Sequence, residues 1–170
     1  MLGFLFRGLT AEPSRGALLF DAVTREARRP SWYVKGKVPD TLDGRFALLS
    51  TIAALVIVRL EQDGPAGDRV SVAFTERFIE VMESEHRELG LGDPTLGRTV
   101  RKLVSLLAKR TELVRQASAP SADWTTTART CLYRDDVPDE ALRHSAMALK
   151  DLSSRLSGVS LSALERGELE

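Results

Sequence analysis

The apolar and polar positions of this chain follow helical spacing along nearly its whole length. From Phe46 to Val58 no residue is charged, and leucine, isoleucine, valine and alanine fall on every helical face, as in a helix enclosed by protein on all sides. The run is too short to cross a bilayer, which takes about 20 apolar residues. A densely polar lead-in, VPDTLDGR (Val38 to Arg45), precedes it. Pro39, Asp40 and Thr41 stop the preceding segment and cap the new helix, and Asp43 suits its positive first turn. Gly44 and Arg45 break the local rules: a glycine there gives up about 1 kcal/mol of helix propensity, and an arginine opposes the macrodipole. Exceptions of this kind point to a demand from tertiary structure or function.

Upstream, apolar spacing at Leu18, Leu19, Ala22, Val23 and Glu26 predicts a helix from Ser14 to Arg29, ended by Pro30. Arg25, Arg28 and Arg29 suit its negative end, and with Lys35 and Lys37 they form a solvated basic segment in preference to a nucleic-acid site. Trp32 and Tyr33 are expected as a buried lid under the start of the core helix. Downstream, DGPAGD (63–68) reads as a loop and the best insertion site. An amphipathic helix, Arg69 to Leu89, then carries Val70, Ala73, Phe74, Phe78, Val81 and Met82 inward, and turns acidic through Glu76, Glu80, Glu83, Glu85 and Glu88. Gly90, Leu91, Asp93 and Pro94 write a sharp corner into the next helix. That helix, Pro94 to Gln116, is expected to bury Leu96, Val100, Leu103, Val104 and Leu107. Its other face carries Arg98, Arg101, Lys102, Lys109, Arg110 and Arg115 against Glu112 alone. Such a face either pairs with the acidic helix or meets an acidic partner, ribosomal RNA or anionic lipid.

Residues 117–123 read as a linker, followed by a short helix (Trp124 to Tyr133) and a longer one (Pro138 to Leu156) with Leu142, Ala146, Leu149, Leu152 and Leu156 on one side. Ser160 is placed to cap a last turn before a frayed RGELE end. No strand alternation and no internal repeat are present. The expected architecture is all-α: a flexible arm over 1–13 and a single domain over 14–170, about six or seven helices around a central buried one, with C-terminal helices over 121–166.

Composition adds bounds. With 170 residues, 43% hydrophobic, 28% charged and zero net charge, this is a one-domain globular sequence with a real core. The lone Cys131 permits no internal disulfide and suits a small core residue in a reducing compartment. The beginning, MLGFLFRGLTAEPSRG, lacks the pattern of a signal peptide; a loosely docked arm is favoured over a membrane-surface anchor built on Leu2, Phe4, Leu5, Phe6 and Arg7. Glu83 and His86 have the Glu-x-x-His spacing of di-iron bundles, but the only other histidine, His144, has no carboxylate three residues before it, so no metal site is expected. Gly90, Gly92 and Gly97 do not fit a phosphate loop, and no serine or cysteine has a nucleophile context. Catalysis and cofactors are not expected.

At ARRPSWY (Ala27 to Tyr33), VPDTLDGRF, the leucine-rich helix closing in Arg59-Leu60, RELGLGD (Arg87 to Asp93) and VRKL (Val100 to Leu103), the chain resembles the ubiquinol-cytochrome c chaperone family over roughly residues 18–116. Departures are Ala47, where an acidic residue is common, Thr51 in place of a histidine, and His86 in place of leucine. The resemblance implies a non-enzymatic assembly factor for the cytochrome bc1 complex. Mitochondrial relatives hold newly made cytochrome b near the ribosomal exit with a small helper protein. Without a transit peptide, this chain is expected in a bacterial cytoplasm, peripheral on the inner face of the membrane. The expected client site is a polar corner made by Asp40, Thr41, Asp43, Gly44 and Arg45 with Arg87, Glu88, Gly90, Gly92 and Asp93. Arg45 would pair with Glu88 or Asp93, and Arg87 with Asp40 or Asp43. Arg98, Arg101, Lys102, Lys109 and Arg110, or the N-terminal arm, would hold ribosome or membrane. The alternatives are an ion-pair cluster that only locks three helices, and a nucleic-acid-binding module using helix 94–116.

Overall fold

The computed structural model describes residues 16–88, 93–119 and 122–170, with backbone alone for 85–88, 93–96 and 99. Eight α-helices and no strand lie among the described residues: α1 Ala17–Ala27, α2 Pro30–Val34, α3 Leu42–Leu60, α4 Gly64–Glu88, α5 Asp93–Ala117, α6 Trp124–Leu132, α7 Asp139–Ser157 and α8 Leu161–Glu165, with a 3-10 turn at Glu61–Asp63. Because α2 and α8 have only five residues each, six helices make the body. None of the described helices is long and apolar enough to cross a membrane.

The uncharged run behaves as its composition dictates. Leu48, Ile52, Ala53, Ala54, Leu55, Val56 and Leu60 of α3 are buried, and α1, α4, α5, α6 and α7 all pack against it. Val70, Phe74, Phe78 and Met82 bring α4 onto the same core. Their rings interlock with α1 and α3: Phe20 lies 6.4 Å from Phe74 and 6.2 Å from Phe78, and Phe46 lies 6.2 Å from Phe78. On the far side, α6 supplies Trp124, Ala128, Cys131 and Leu132, and α7 buries Leu142, Ala146, Leu149, Leu152 and Leu156 as their spacing predicts.

Residues 63–68 are not a loop. Gly64, at φ 56° and ψ −140°, turns the chain directly into α4, and Pro65 sits in the first turn, where no backbone donor is missed. A Cβ on Gly67 would stand 1.9 Å from the Leu60 carbonyl oxygen, so its glycine serves a close crossing of helices. Both punctuating residues are used to make a corner without intervening chain.

Three further expectations change. The buried stripe of α1 runs through Leu19, Phe20, Ala22, Val23 and Ala27, leaving Leu18 exposed, and Pro30 begins α2 after ending α1. In α5 the inward stripe follows Leu103, Leu107, Thr111, Val114 and Ala117, which turns Val104 outward. The C-terminus is docked: Leu169 is buried, the Glu168 N–H donates to the Ala163 carbonyl at 3.0 Å, and Arg155 pairs with Glu170 at 2.9 Å. Ser160 caps α8 by accepting the Ala163 N–H, as its position predicts.

Arg115 near the end of α5 pairs with Glu61 just past the end of α3 at 2.7 Å. This pair ties the end of α5 to the end of α3, two helices that pack against each other.

Candidate functional site

The polar lead-in folds into an exposed corner whose irregular residues each have a physical reason. Thr41 is the N-cap of α3, its Oγ1 accepting the Gly44 N–H at 3.1 Å. The Pro39 carbonyl folds over this first turn, and a Cβ on Gly44 would stand 2.0 Å from its oxygen. Only glycine admits that approach. Arg45 reaches back out of the helix, donating from Nε to Asp40 Oδ1 at 2.6 Å, which compensates its unfavourable position on the dipole. Asp43, the first-turn carboxylate, pairs at 2.9 Å with Arg134 from the segment after α6.

These pairs are solvent-facing, with side chains 64% and 61% exposed for Arg45 and Asp40, and 80% and 68% for Arg134 and Asp43. Exposed pairs of this kind stabilise folds little. Hydrogen bonding from Arg45 holds the Asp40 carboxyl below the usual aspartate range. Tyr33 borders the corner, donating its hydroxyl to the Ala27 carbonyl at 2.8 Å; burial pushes that hydroxyl up, with Arg45 opposing. Trp32 is the buried lid, its Nε1 donating to the Glu26 carbonyl at 3.1 Å. Behind it, the Tyr133 hydroxyl donates to the Gly36 carbonyl and shares a hydrogen bond with Ser145 Oγ at 2.6 Å, tying the lead-in to α6 and α7.

Beside the ionic groups stand apolar ones. Val34 and Leu42 are 65% and 66% exposed, and half-buried Phe46 and Leu49 continue the face of Leu42 along α3. The corner thus offers both signs of charge and an apolar strip, suited to gripping an amphipathic segment. Among the described residues no group of histidine, cysteine and carboxylate side chains could hold a metal ion. The second half of the expected corner lies outside the described residues for Gly90 and Gly92, and outside the described side chains for Arg87, Glu88 and Asp93, as does His86. Among the described side chains, Asp40 pairs with Arg45 and Asp43 with Arg134.

The basic residues of α5 divide. Arg98, Arg101, Lys102 and Lys109 are exposed. Arg110 turns toward α6, where its Nη2 donates to the Cys131 carbonyl at 3.2 Å and burial lowers its pKa. Arg115 is committed to Glu61 and Glu112.

A family model described as Ubiquinol-cytochrome C chaperone matches residues 34–170. The chain belongs to the ubiquinol-cytochrome c chaperone family. Membership gives it a role in assembly of the cytochrome bc1 complex. The fold is shared with the crystal structure of the Cbp3 homolog from Brucella abortus, at 23% identity and a TM-score of 0.73, covering 98% of this chain and 94% of that one. No curated protein sequence matches. The family region includes the whole C-terminal third, which the sequence motifs had left outside.

Arg59, in the motif that closes the core helix, shows why the last third belongs. It is 8% exposed and donates from Nε to the Leu156 carbonyl at 2.9 Å and from Nη2 to the Val159 carbonyl at 2.5 Å, while Nη1 meets Asp63 at 2.6 Å. It caps the end of α7 from the middle of the molecule. Thr51, one departure from the family pattern, is fully buried, bonds the Ala47 carbonyl at 2.6 Å and lies against the Cys131 thiol, so it is a core residue and not a client contact. Arg134 and Tyr133 are corner residues that the sequence did not flag; their partners are brought together only by the tertiary fold.

Proposed function

We propose that this member of the ubiquinol-cytochrome c chaperone family is a non-enzymatic assembly factor that holds newly made cytochrome b by the corner at the start of α3. Residues Asp40, Asp43 and Arg45 grip polar groups of the client, while Leu42 and Val34 take an apolar stretch beside them. The observation that carries this reading is the exposure of the corner: a family-motif segment with two ion pairs turned to solvent and two large apolar side chains uncovered. The work would take place at the inner face of a cytoplasmic membrane, close to the ribosomal exit, with a small helper protein as a further partner.

Capture of cytochrome b from native membranes tests the corner through an Arg45→Ala variant. Arg45 makes no buried contact, so the variant should keep the wild-type circular dichroism spectrum and melting temperature. It should recover at least about tenfold less cytochrome b, the loss expected for a charged hydrogen bond at an interface. Undiminished capture by the folded variant would remove the corner from the client site.

A further inference from the structure

We propose that the exposed cationic face of α5 docks the molecule on an anionic lipid bilayer. At 100° per residue, Arg98, Lys102 and Lys109, with Ser105 between them, fall along one narrow outward stripe, with Arg101 on its edge. All are exposed, and none of the four cations takes part in an ion pair or side-chain hydrogen bond among the described residues. The neighbouring arginines have other uses, Arg110 against α6 and Arg115 with Glu61. The four unspent charges thus stand together for an outside anion.

The chemistry favours a bilayer over a nucleic acid. A bilayer responds to a local cluster, each lysine or arginine near an anionic surface strengthening binding roughly fivefold. No aromatic residue lies on α5 to stack a base. Instead, Val104 and Ala108 are uncovered beside the cations, and apolar side chains flanking a basic stripe suit the headgroup boundary.

Flotation of the full chain with vesicles tests this without any client, so its failure and failure of the cytochrome b reading are separate results. Wild-type protein should bind phosphatidylcholine vesicles containing phosphatidylglycerol, bind phosphatidylcholine alone far more weakly, and release as salt rises. The triple variant Arg98→Gln/Lys102→Gln/Lys109→Gln should lose roughly a hundredfold in affinity. A control triple of exposed cations elsewhere, Arg25→Gln/Arg28→Gln/Arg129→Gln, should bind as wild type. Binding indifferent to phosphatidylglycerol, equal loss in both triples, or full binding by the α5 triple would overturn the proposal. So would wild-type protein that ignores vesicles and binds ribosomal RNA.

Discussion

Gly44 and Gly97 are both helical glycines, yet their surroundings give substitutions at them opposite signs. A Cβ at Gly44 collides with the Pro39 carbonyl, while a Cβ at Gly97 meets nothing within 4 Å. Gly44→Ala should therefore destabilise by about 3 kcal/mol through forced displacement of the lead-in, and Gly97→Ala should stabilise by about 0.5–1 kcal/mol. Urea midpoints at unchanged m-value check both. At Arg59, replacement by methionine removes three hydrogen bonds and strands the Val159 carbonyl beyond α7, a loss of about 3 kcal/mol that lysine would only partly restore. Burial raises the Cys131 thiol and the Tyr133 hydroxyl. A raised folded pKa means that the native state keeps its proton longer than the unfolded chain. The contribution to stability is complete below the unfolded value of about 8.5 for a thiol and is lost as pH rises toward the folded value. Denaturation midpoints should fall between neutral pH and pH values above about 9, less steeply in Cys131→Ala.

The last element is short but integral to the core. Ala163, Leu164 and Leu169 are buried, so truncation after Ser160 should cost on the order of 4 kcal/mol by lost apolar burial, seen as a lower melting temperature. A frayed tail would leave it unchanged. The helices themselves were legible because helix signals are local: capping by Thr41 and Ser160, the uncharged run of α3 and the spacing along α7 all read directly. Glycine and proline at 63–68 misled because the same residues serve loops and tight helix crossings, and only a neighbour such as the Leu60 carbonyl distinguishes them. Val104 went astray because one residue of phase decides which side of α5 is buried. For the candidate site, sequence marked the start of α3 through the misfit of Gly44 and Arg45, but not the partners of this lead-in. Arg134 reaches Asp43 from the far side of the fold, and Tyr133 reaches Gly36 likewise. No spacing rule encodes such pairs.

On the scale of the whole molecule, one buried helix holds together two exposed features: its own start carries the polar corner, and α5, packed against it, carries cations unpaired among the described residues. The chain's zero net charge conceals this arrangement, because charge is segregated by face and not by total. Membership of the ubiquinol-cytochrome c chaperone family gives the chain a role in assembly of the bc1 complex. The claim that cytochrome b is the client is tested most directly by affinity capture of the full chain from native membranes during active synthesis of the complex, with recovered proteins quantified. Cytochrome b should be enriched above every other membrane protein of similar abundance. Recovery at the background level of such proteins would contradict it.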